Sequence, residues 1–238
     1  MKPSNLAILQ ARMSSTRLPG KVMRNINGKP MIYWQIERIK KSKSIDKLIV
    51  ATSIDESDDI LADFLKTNKV EVYRGELQDV LSRYLKIEES FKPTTIIRLT
   101  GDCPFVMPEL IDEMLAKFYE INVDYLSNTL ELSYPDGLDI EIVKSGVLKK
   151  LSNYGLSYLE REHVTLGIVN RKNLFSTECY SNYKDLSHYR WTVDTFEDFE
   201  FVSMVFNKFR LNEVNFTFEE LGKFFEENSE INQIRHRD

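Results

Sequence analysis

Residues 6–21 read LAILQARMSSTRLPGK, and this stretch near the start of the chain decides the fold. Its first four residues, Leu6 to Leu9, form a short apolar run typical of a buried strand. Cations and hydroxyl side chains follow at once, and the turn residues Pro19 and Gly20 come directly before Lys21. A buried strand that leads into such a loop is typical of the sheet edge where α/β proteins bind ligands.

The alternation of apolar runs and amphipathic segments continues through the first half of the chain. Further strands are predicted at residues 47–52, 70–73 and 94–100, and helices at residues 30–40, 57–66, 79–90 and from Pro108 onward. This order predicts an α/β fold in which a mostly parallel sheet carries helices on both faces. The residues that follow each strand are candidate site residues, because ligands bind outside the carboxyl ends of parallel strands.

The second half of the chain is less regular. Residues 124–189 are rich in Tyr, Ser and Asn, and we interpret them as an embedded segment that carries a substrate lid or a dimer contact. Residues 1–238 are therefore expected to form one domain. Regular patterning returns with a predicted strand at Tyr189–Val193 and with predicted helices at residues 196–209 and 218–227.

The composition is that of an ordinary globular protein. The 238 residues include 32 Lys and Arg against 37 Asp and Glu, which gives a net charge of −5, and 42% of them are hydrophobic. The acidic balance argues against a nucleic-acid binder, which needs a broad basic face. It permits a locally basic pocket for a small anion.

Cysteine content and apolar runs exclude several other classes of protein. The two cysteines, Cys103 and Cys179, imply no disulfide framework, and no Cys/His cluster indicates a structural zinc site. The apolar run at Leu6 is shorter than a signal peptide or a membrane helix requires, the latter needing about 20 apolar residues. We expect a cytoplasmic protein without membrane contact.

The loop after the first strand has the chemistry of a phosphate-binding site. It carries three cations, Arg12, Arg17 and Lys21, together with three hydroxyl side chains at residues 14–16. Polyphosphates are bound by cations, hydroxyls and backbone N–H groups. The loop is not a Walker A motif, since Val22 follows the lysine, and no GxGxxG occurs in the chain. A solvated polar loop is the alternative interpretation.

Two aspartates follow predicted strands and suit a divalent cation. Asp102 lies in the sequence Gly-Asp-Cys-Pro after the strand at residues 94–100, and Asp194 follows the strand predicted at 189–193. Mg²⁺ typically takes one or two carboxylates, with phosphate oxygens and water as its other ligands. Alternatively, Asp102 is a turn residue before Pro104 and Asp194 begins a helix.

These motifs together resemble those of the sugar cytidylyltransferases. The loop ARMSSTRLPGK, residues 11–21, is similar to the nucleotide loop of the 3-deoxy-manno-octulosonate cytidylyltransferases and of the spore coat polysaccharide biosynthesis protein F type. The resemblance implies a Rossmann-like nucleotidyltransferase fold with an inserted segment, which binds CTP and Mg²⁺. It also maps the metal ligands of that family onto Asp102 and Asp194, within the Gly-Asp-x-Pro and Val-Asp-Thr-x-Glu-Asp segments.

The resemblance further implies roles for individual residues. Arg12, Lys21 and Asp102 would be catalytic, with the two cations on the triphosphate. A stretch that includes Arg74 and Gly75 resembles the spore-coat subgroup near cytosine and ribose, although an ordinary helix start is the alternative. The expected nucleotide-binding residues are Ala11, Arg12, Ser14, Ser15, Arg17, Lys21, Arg74, Gly75, Asp79, Arg83 and Gly101.

Candidate acceptor-binding residues come from the middle segment and from the stretch after it. The alternating carboxylates Asp139 and Glu141 face one side of a predicted strand and could bind sugar hydroxyls, or they form a solvated face. An acidic substrate requires fixed cations, which Arg161 and Arg190 could supply. The expected substrate-binding residues are Asp136, Asp139, Glu141, Arg161, His163 and Arg190.

The sequence therefore favours an enzyme that transfers CMP from CTP to an acidic sugar or a related anionic acceptor, for surface polysaccharide synthesis, and that forms a homodimer. One alternative is a glycosyltransferase of related fold, which normally carries an Asp-x-Asp metal motif that this sequence lacks. The other is a non-catalytic nucleotide-binding relative. The presence of Lys21, Asp102 and Asp194 argues against it.

Overall fold

The computed structural model describes residues 4–209 and 215–228. Its strands are β1 Asn5–Gln10, β2 Asn25–Ile26, β3 Lys29–Pro30, β4 Lys47–Ser53, β5 Glu71–Gly75, β6 Thr95–Thr100, β7 Tyr125–Ser127, β8 Glu141–Lys144 and β9 Thr177–Cys179. Its α-helices are α1 Met31–Ile39, α2 Asp59–Thr67, α3 Val80–Phe91, α4 Pro108–Ile121, α5 Val147–Leu151, α6 Tyr158–Glu162, α7 Leu166–Val169, α8 Phe196–Lys208 and α9 Phe218–Glu227. Short 3₁₀ turns lie at Lys21–Met23 and Glu56–Asp58.

One mostly parallel sheet organises these elements. Seven strands lie in the order β5-β4-β1-β6-β8-β7-β9. β1 pairs in parallel with both β4 and β6, and β5 extends the parallel part beyond β4. β8 runs antiparallel to its neighbours β6 and β7. The α/β fold predicted from the alternating pattern is confirmed. In the described part of the chain, no helix is both long and apolar enough to cross a membrane.

Helices cover both faces of this sheet, as predicted. Along β1, Ala7 and Leu9 belong to the core on one face, whereas Leu6 and Ile8 belong to the core on the other. All four side chains are essentially inaccessible to solvent. A strand buried on both faces has no polar side to display, and this explains the continuous apolar run in its sequence.

The strand predicted at Tyr189–Val193 is wrong. No strand of the described part of the chain includes this segment, in which Arg190 makes an isolated parallel bridge to Asp136. Its backbone bonds to loops instead of a strand: Trp191 N–H donates to the carbonyl of Asp136 at 2.6 Å, and Val193 N–H donates to that of Asp102 at 2.9 Å. The apolar alternation that suggested a strand arises because Trp191 and Val193 are buried in the core. The hydrogen bond between Val193 and Asp102 nevertheless holds this segment, and Asp194 after it, beside Asp102.

The middle segment, residues 124–189, adds three short strands to the same sheet. β8 continues the sheet from β6, β7 pairs with β8, and β9 is the edge strand. β7 and β9 have only three residues each, too few for a periodic signal in the sequence. The helices of the middle segment, α5, α6 and α7, have four or five residues each.

Gly137 allows the loop before β8 to cross the segment at Trp191 and Thr192. Its φ is +106°, and a Cβ at this position would lie 2.5 Å from Thr192 N. We expect Gly137→Ala to lower the free energy of unfolding by about 3 kcal/mol, through backbone strain and steric overlap. Urea unfolding would measure this change. Gly28→Ala is the control, because Gly28 also has a positive φ (+83°) but open space around it. Equal losses in the two variants would contradict the crossing argument.

Candidate active site

A cavity of about 370 Å³ opens at the carboxyl ends of β1 and β6. This is the edge of the sheet at which the sequence predicts a ligand. Ten of the predicted site residues line it: Ala11, Arg12, Ser15, Arg17, Lys21, Arg83, Gly101, Asp102, His163 and Asp194.

The loop after β1 is fixed by its own backbone and by one buried carboxylate. The carbonyl of Met13 accepts from the N–H groups of Ser15 and Gly20, at 2.9 and 2.8 Å. The N–H of Met13 donates to Asp58 Oδ1 at 2.6 Å. Asp58 is fully buried, and its other oxygen accepts from residues at the end of β4. The loop is therefore anchored to two neighbouring elements without a ligand.

Gly20 and Gly101 allow close approach of the backbone at this site. Gly20 has a φ of +70° and a left-handed conformation, which lets the chain turn directly into Lys21. A Cβ on Gly101 would lie 3.0 Å from the Cβ of Ala11. The N–H of Gly101 donates to the carbonyl of Gln10 at 2.8 Å. The strand-end loops of β1 and β6 are therefore in direct contact.

The ammonium of Lys21 lies between the two predicted metal ligands. Its Nζ is 3.3 Å from Asp102 Oδ2 and 3.1 Å from Asp194 Oδ1. It also donates to the carbonyl of Val193 at 2.7 Å. Lys21 is only 8% exposed. A buried cation requires such partners, because removal from water disfavours the charged form.

Asp194 is the more strongly neutralised of the two carboxylates. Its Oδ2 is 2.8 Å from Arg17 and 2.9 Å from Arg190. Partial burial opposes ionisation of Asp194, but the charge of Lys21, assisted by both arginines, holds its pKa below the ordinary value. Asp194 is therefore ionised at neutral pH and able to bind a cation.

The two carboxylates fit a divalent cation in their chemistry. Asp102 and Asp194 already share one cation, the ammonium of Lys21. Among the described residues no group of three or more His, Cys, Asp or Glu could hold a metal ion. The protein would thus supply two carboxylates and leave the other positions to substrate oxygens and water, which is the usual arrangement for Mg²⁺.

The floor of the cavity contains two buried arginines. Arg98 is 2.6 Å from Glu141, and this ion pair is almost inaccessible to solvent. Loss of one partner from such a pair typically costs about 3–5 kcal/mol. Arg83 is 2% exposed, and its Nε has no hydrogen-bond partner in the described part of the chain. Burial lowers the pKa of Arg83. An unpaired buried guanidinium beside a cavity suits an anion or another acceptor.

Nine other predicted residues, all within the described ranges, lie outside this lining: Ser14, Arg74, Gly75, Asp79, Asp136, Asp139, Glu141, Arg161 and Arg190. Arg74 donates to the carbonyl of Ser53 at 2.7 Å and is 2.7 Å from Asp59, so it ties β5 to α2. A Cβ on Gly75 would lie 2.8 Å from Arg83 Cγ. Gly75 thus makes room for that side chain.

Several of the predicted acceptor-binding residues are already paired. Asp79 caps α3 through the N–H of Ser82 at 3.0 Å and forms an ion pair with Arg161. Arg190 binds Asp136 at 2.9 Å in addition to Asp194. Asp139 precedes β8, and Glu141 is the first residue of that strand.

Seven residues line the cavity that the sequence argument missed: Gln10, Thr16, Val22, Val80, Arg98, Thr100 and Glu162. Gln10 and Thr100 are the last residues of β1 and β6, so the strand-end rule could have found them. Arg98 lies within β6, and its pattern gives no such signal. Glu162 is 3.3 Å from Arg12, a pairing that only the tertiary structure reveals.

The raised pKa of Asp139 can be tested through the pH dependence of stability. Burial raises its pKa to about 7, and neighbouring carboxylates, Asp136 first, add to the shift. Between about pH 4 and pH 7, the folded protein keeps a proton that the unfolded chain releases, so the free energy of unfolding falls as pH rises. Asp139→Asn should flatten this dependence and raise the free energy of unfolding at pH 8 by about 2 kcal/mol. Urea unfolding at pH 5 and pH 8 would measure both.

The control for this measurement is Asp63→Asn, since the side chain of Asp63 is 77% exposed. It should retain the pH dependence of the wild type. An unchanged slope in Asp139→Asn would contradict the raised pKa.

Comparison with known proteins identifies the family. The sequence matches the family model described as Cytidylyltransferase over residues 6–235. It is 39% identical over 210 residues to the spore coat polysaccharide biosynthesis protein SpsF of Bacillus subtilis (strain 168), with 85% of this chain and 86% of that protein covered. It is 29% identical over 157 residues to the 3-deoxy-manno-octulosonate cytidylyltransferase of Geobacter sulfurreducens, with 64% of this chain and 60% of that enzyme covered.

The fold comparison agrees with the sequence. The structure of a cytidylyltransferase from Leptospira borgpetersenii serovar Hardjo-bovis (strain JB197) superposes with a TM-score of 0.90 at 32% identity, over 98% of this chain and 97% of that chain. The predicted membership of the cytidylyltransferases is thereby confirmed, as is the Rossmann-like nucleotidyltransferase fold. The protein is a nucleotidyltransferase that belongs to the cytidylyltransferase family.

Proposed function

We propose that this protein transfers CMP from CTP to an anionic sugar-like acceptor and releases pyrophosphate, with Mg²⁺ as its cofactor. The observation that carries the proposal is the convergence of Lys21, Asp102 and Asp194 in the lining of the cavity. Cations and carboxylates at one sheet edge are what a triphosphate and its counter-ion require together.

The loop cations would exchange partners when the nucleotide binds. Arg12 contacts Glu162 at 3.3 Å, and Arg17 contacts Asp194 at 2.8 Å. The side chains of Arg12 and Arg17 are 39% and 62% exposed, so both can turn toward a phosphate at little cost. Phosphate oxygens accept bidentate hydrogen bonds from guanidinium groups and would compete well with these partly exposed pairs.

A metal ion could replace Lys21 as the partner of the two carboxylates. Asp102 and Asp194 would hold Mg²⁺ once Lys21 turns from them to the triphosphate. When bound, the ion supplies Lewis-acid polarisation and neutralises negative charge.

The reaction is an in-line substitution at phosphorus. An oxygen of the acceptor forms a bond to the α-phosphorus of CTP, the bond from that phosphorus to the β-bridging oxygen breaks, and pyrophosphate leaves with the electron pair. Any proton on the attacking oxygen passes to water or to a nearby base. The contribution of the protein is positioning and charge stabilisation by Arg12, Arg17 and Lys21, without a covalent intermediate.

The proposed acceptor is an acidic sugar for surface polysaccharide synthesis. The names of two relatives support it: one is a spore coat polysaccharide biosynthesis protein and the other a 3-deoxy-manno-octulosonate cytidylyltransferase. Of the six acceptor-binding candidates, all within the described residues, His163 is the one that lines the cavity, and it follows Glu162 in the chain.

Pyrophosphate release tests this function. The assay supplies CTP, Mg²⁺ and a panel of acidic sugars, with UTP and ATP in place of CTP as comparisons. Asp102→Asn should reduce turnover at least about 100-fold, because it removes a charged ligand next to the reacting phosphate. Asp63→Asn, on the exposed surface, should leave it unchanged. Undiminished pyrophosphate release by a folded Asp102→Asn protein would refute the metal assignment.

We also propose a homodimer formed through residues 124–189. The supporting feature is an apolar surface on α6, where Tyr158 and Leu159 are both 56% exposed. Leu159→Glu should convert the dimer to a monomer in size-exclusion chromatography with light scattering at micromolar concentration. Ile54→Glu, at a similarly exposed position outside the segment (60%), should not. A monomeric wild-type protein would refute the proposal.

A further inference from the structure

The side-chain amide of Gln10 lies on the floor of the cavity. Gln10 is the last residue of the central strand β1 and pairs with Thr100 of β6. Its side chain is half-buried and lines the cavity.

Two donors determine which way this amide faces. Arg98 Nε and the hydroxyl of Tyr84 both bond to Gln10 Oε1, each at 3.2 Å. An arginine nitrogen can only donate, so the atom it contacts must be the amide oxygen. Burial raises the pKa of Tyr84, which therefore keeps its proton and can donate as well. These two donors therefore fix the orientation of the amide, with its oxygen toward Arg98 and Tyr84.

The amide nitrogen is consequently the free end of the side chain. Within residues 4–209 and 215–228, Gln10 Nε2 makes no hydrogen bond, while the oxygen receives two. Its two N–H groups are therefore available to whatever fills the cavity.

A buried network keeps the arginine in place behind this amide. Arg98 is 2.6 Å from Glu141 Oε1, and the other carboxylate oxygen of Glu141 accepts from the hydroxyl of Thr165. Arg98 and Glu141 are each 9% exposed, and Thr165 is 3% exposed. Burial alone would lower the pKa of Arg98, but Glu141 more than reverses this, so the pKa is raised and the pair stays charged. Rotation of Arg98 away from Gln10 would break a buried ion pair.

The surroundings of Gln10 offer hydrogen-bond donors and apolar surface. The guanidinium of Arg83 lines the same floor and has only donors. Ala11 and Val80, both buried, supply apolar contact. A flat ring with acceptor atoms on one edge is complementary to this combination.

We infer that Gln10 is a specificity-determining residue that selects cytosine over uracil by donating to N3 of the base. This inference rests on the proposed use of CTP. N3 of cytosine is an acceptor, whereas N3 of uracil carries a hydrogen, which would face the N–H groups of Gln10 without a partner. An unpaired polar group enclosed in a site discriminates strongly between otherwise similar ligands. Arg98 and Glu141 are positioning residues for the amide.

The test is nucleotide binding without an acceptor. Isothermal titration calorimetry with Mg²⁺ gives the dissociation constants of CTP and UTP, and their ratio is the readout. Gln10→Glu keeps an oxygen toward Arg98 and Tyr84 but replaces the outward donors by a second acceptor oxygen. We expect it to reduce the preference for CTP about tenfold or more. Its added charge opposes both triphosphates alike and cancels in the ratio.

Matched variants test the positioning role. Glu141→Gln removes the charge that holds Arg98 and should reduce the CTP preference in the same direction. Glu88→Gln is the control: Glu88 is also 9% exposed and accepts from Ser145 and Gly146, away from the cavity. It should leave the ratio unchanged even if it lowers stability. An equal effect of the two variants would refute the positioning role.

The outcomes separate this inference from the proposed function. A wild-type protein that binds neither nucleotide would overturn the proposed function. A wild-type protein that binds CTP and UTP equally, or a folded Gln10→Glu protein with the wild-type ratio, would overturn the role of Gln10 alone. Should Gln10→Glu fail to fold, Gln10→Met removes the same donors without adding charge, and the same ratio decides.

Discussion

One buried ammonium joins three distant parts of this chain. Lys21 belongs to the loop after β1, Asp102 to the loop after β6, and Asp194 to the segment that leads into α8. All three meet around Lys21 Nζ, together with the carbonyl of Val193. Lys21 is only 8% exposed, so its ammonium group needs partners of opposite charge in place of water. This requirement holds the two carboxylates close to each other.

The same constraint suggests how a protein with a net charge of −5 would accommodate the triphosphate of the proposed reaction. Each loop cation is neutralised by a carboxylate: Arg12 by Glu162, Arg17 by Asp194, and Lys21 by Asp102 and Asp194. The cations could therefore bind an anionic ligand, but only by leaving their carboxylate partners. In the proposed reaction, a metal ion and a triphosphate that arrive together would compensate both halves of the exchange, since the metal would take the carboxylates and the phosphates would take the cations.

The floor of the site follows a different principle. Its polar groups are buried and connected in series, from Thr165 through Glu141 and Arg98 to Gln10. A network of this kind resists rearrangement, because each member would be left unsatisfied by the loss of its neighbour. In the proposed function, the exposed loop cations would adapt to a flexible triphosphate, whereas the buried floor would present a fixed pattern of donors. Such a site would tolerate movement at the phosphates and select at the base.

Long elements with strong patterns were predictable from the sequence. The continuous apolar run of β1 and the stripes of α1 to α4 gave the layers of the fold, since burial on both faces of a parallel sheet leaves a local signature. The three-residue strands β7 and β9 left none, and the buried alternation at Trp191 and Val193 indicated a strand where the backbone bonds to loops. Alternating burial is a property of side chains and does not specify the partner of the backbone.

For the site, the sequence by itself determined which chemical groups are on offer: the cations of the loop after β1, the carboxylate of Asp102 after β6, and the carboxylate of Asp194, which follows a segment that is not a strand. Only the tertiary structure decided which of these groups meet. In the folded protein, Glu141 forms an ion pair with Arg98, and Arg161 forms one with Asp79. Gln10 and Glu162, which the sequence did not indicate, line the cavity. The physical reason is that hydrogen bonds and ion pairs depend on distances of a few ångströms between residues far apart in the chain, and a local sequence pattern carries no information on those distances.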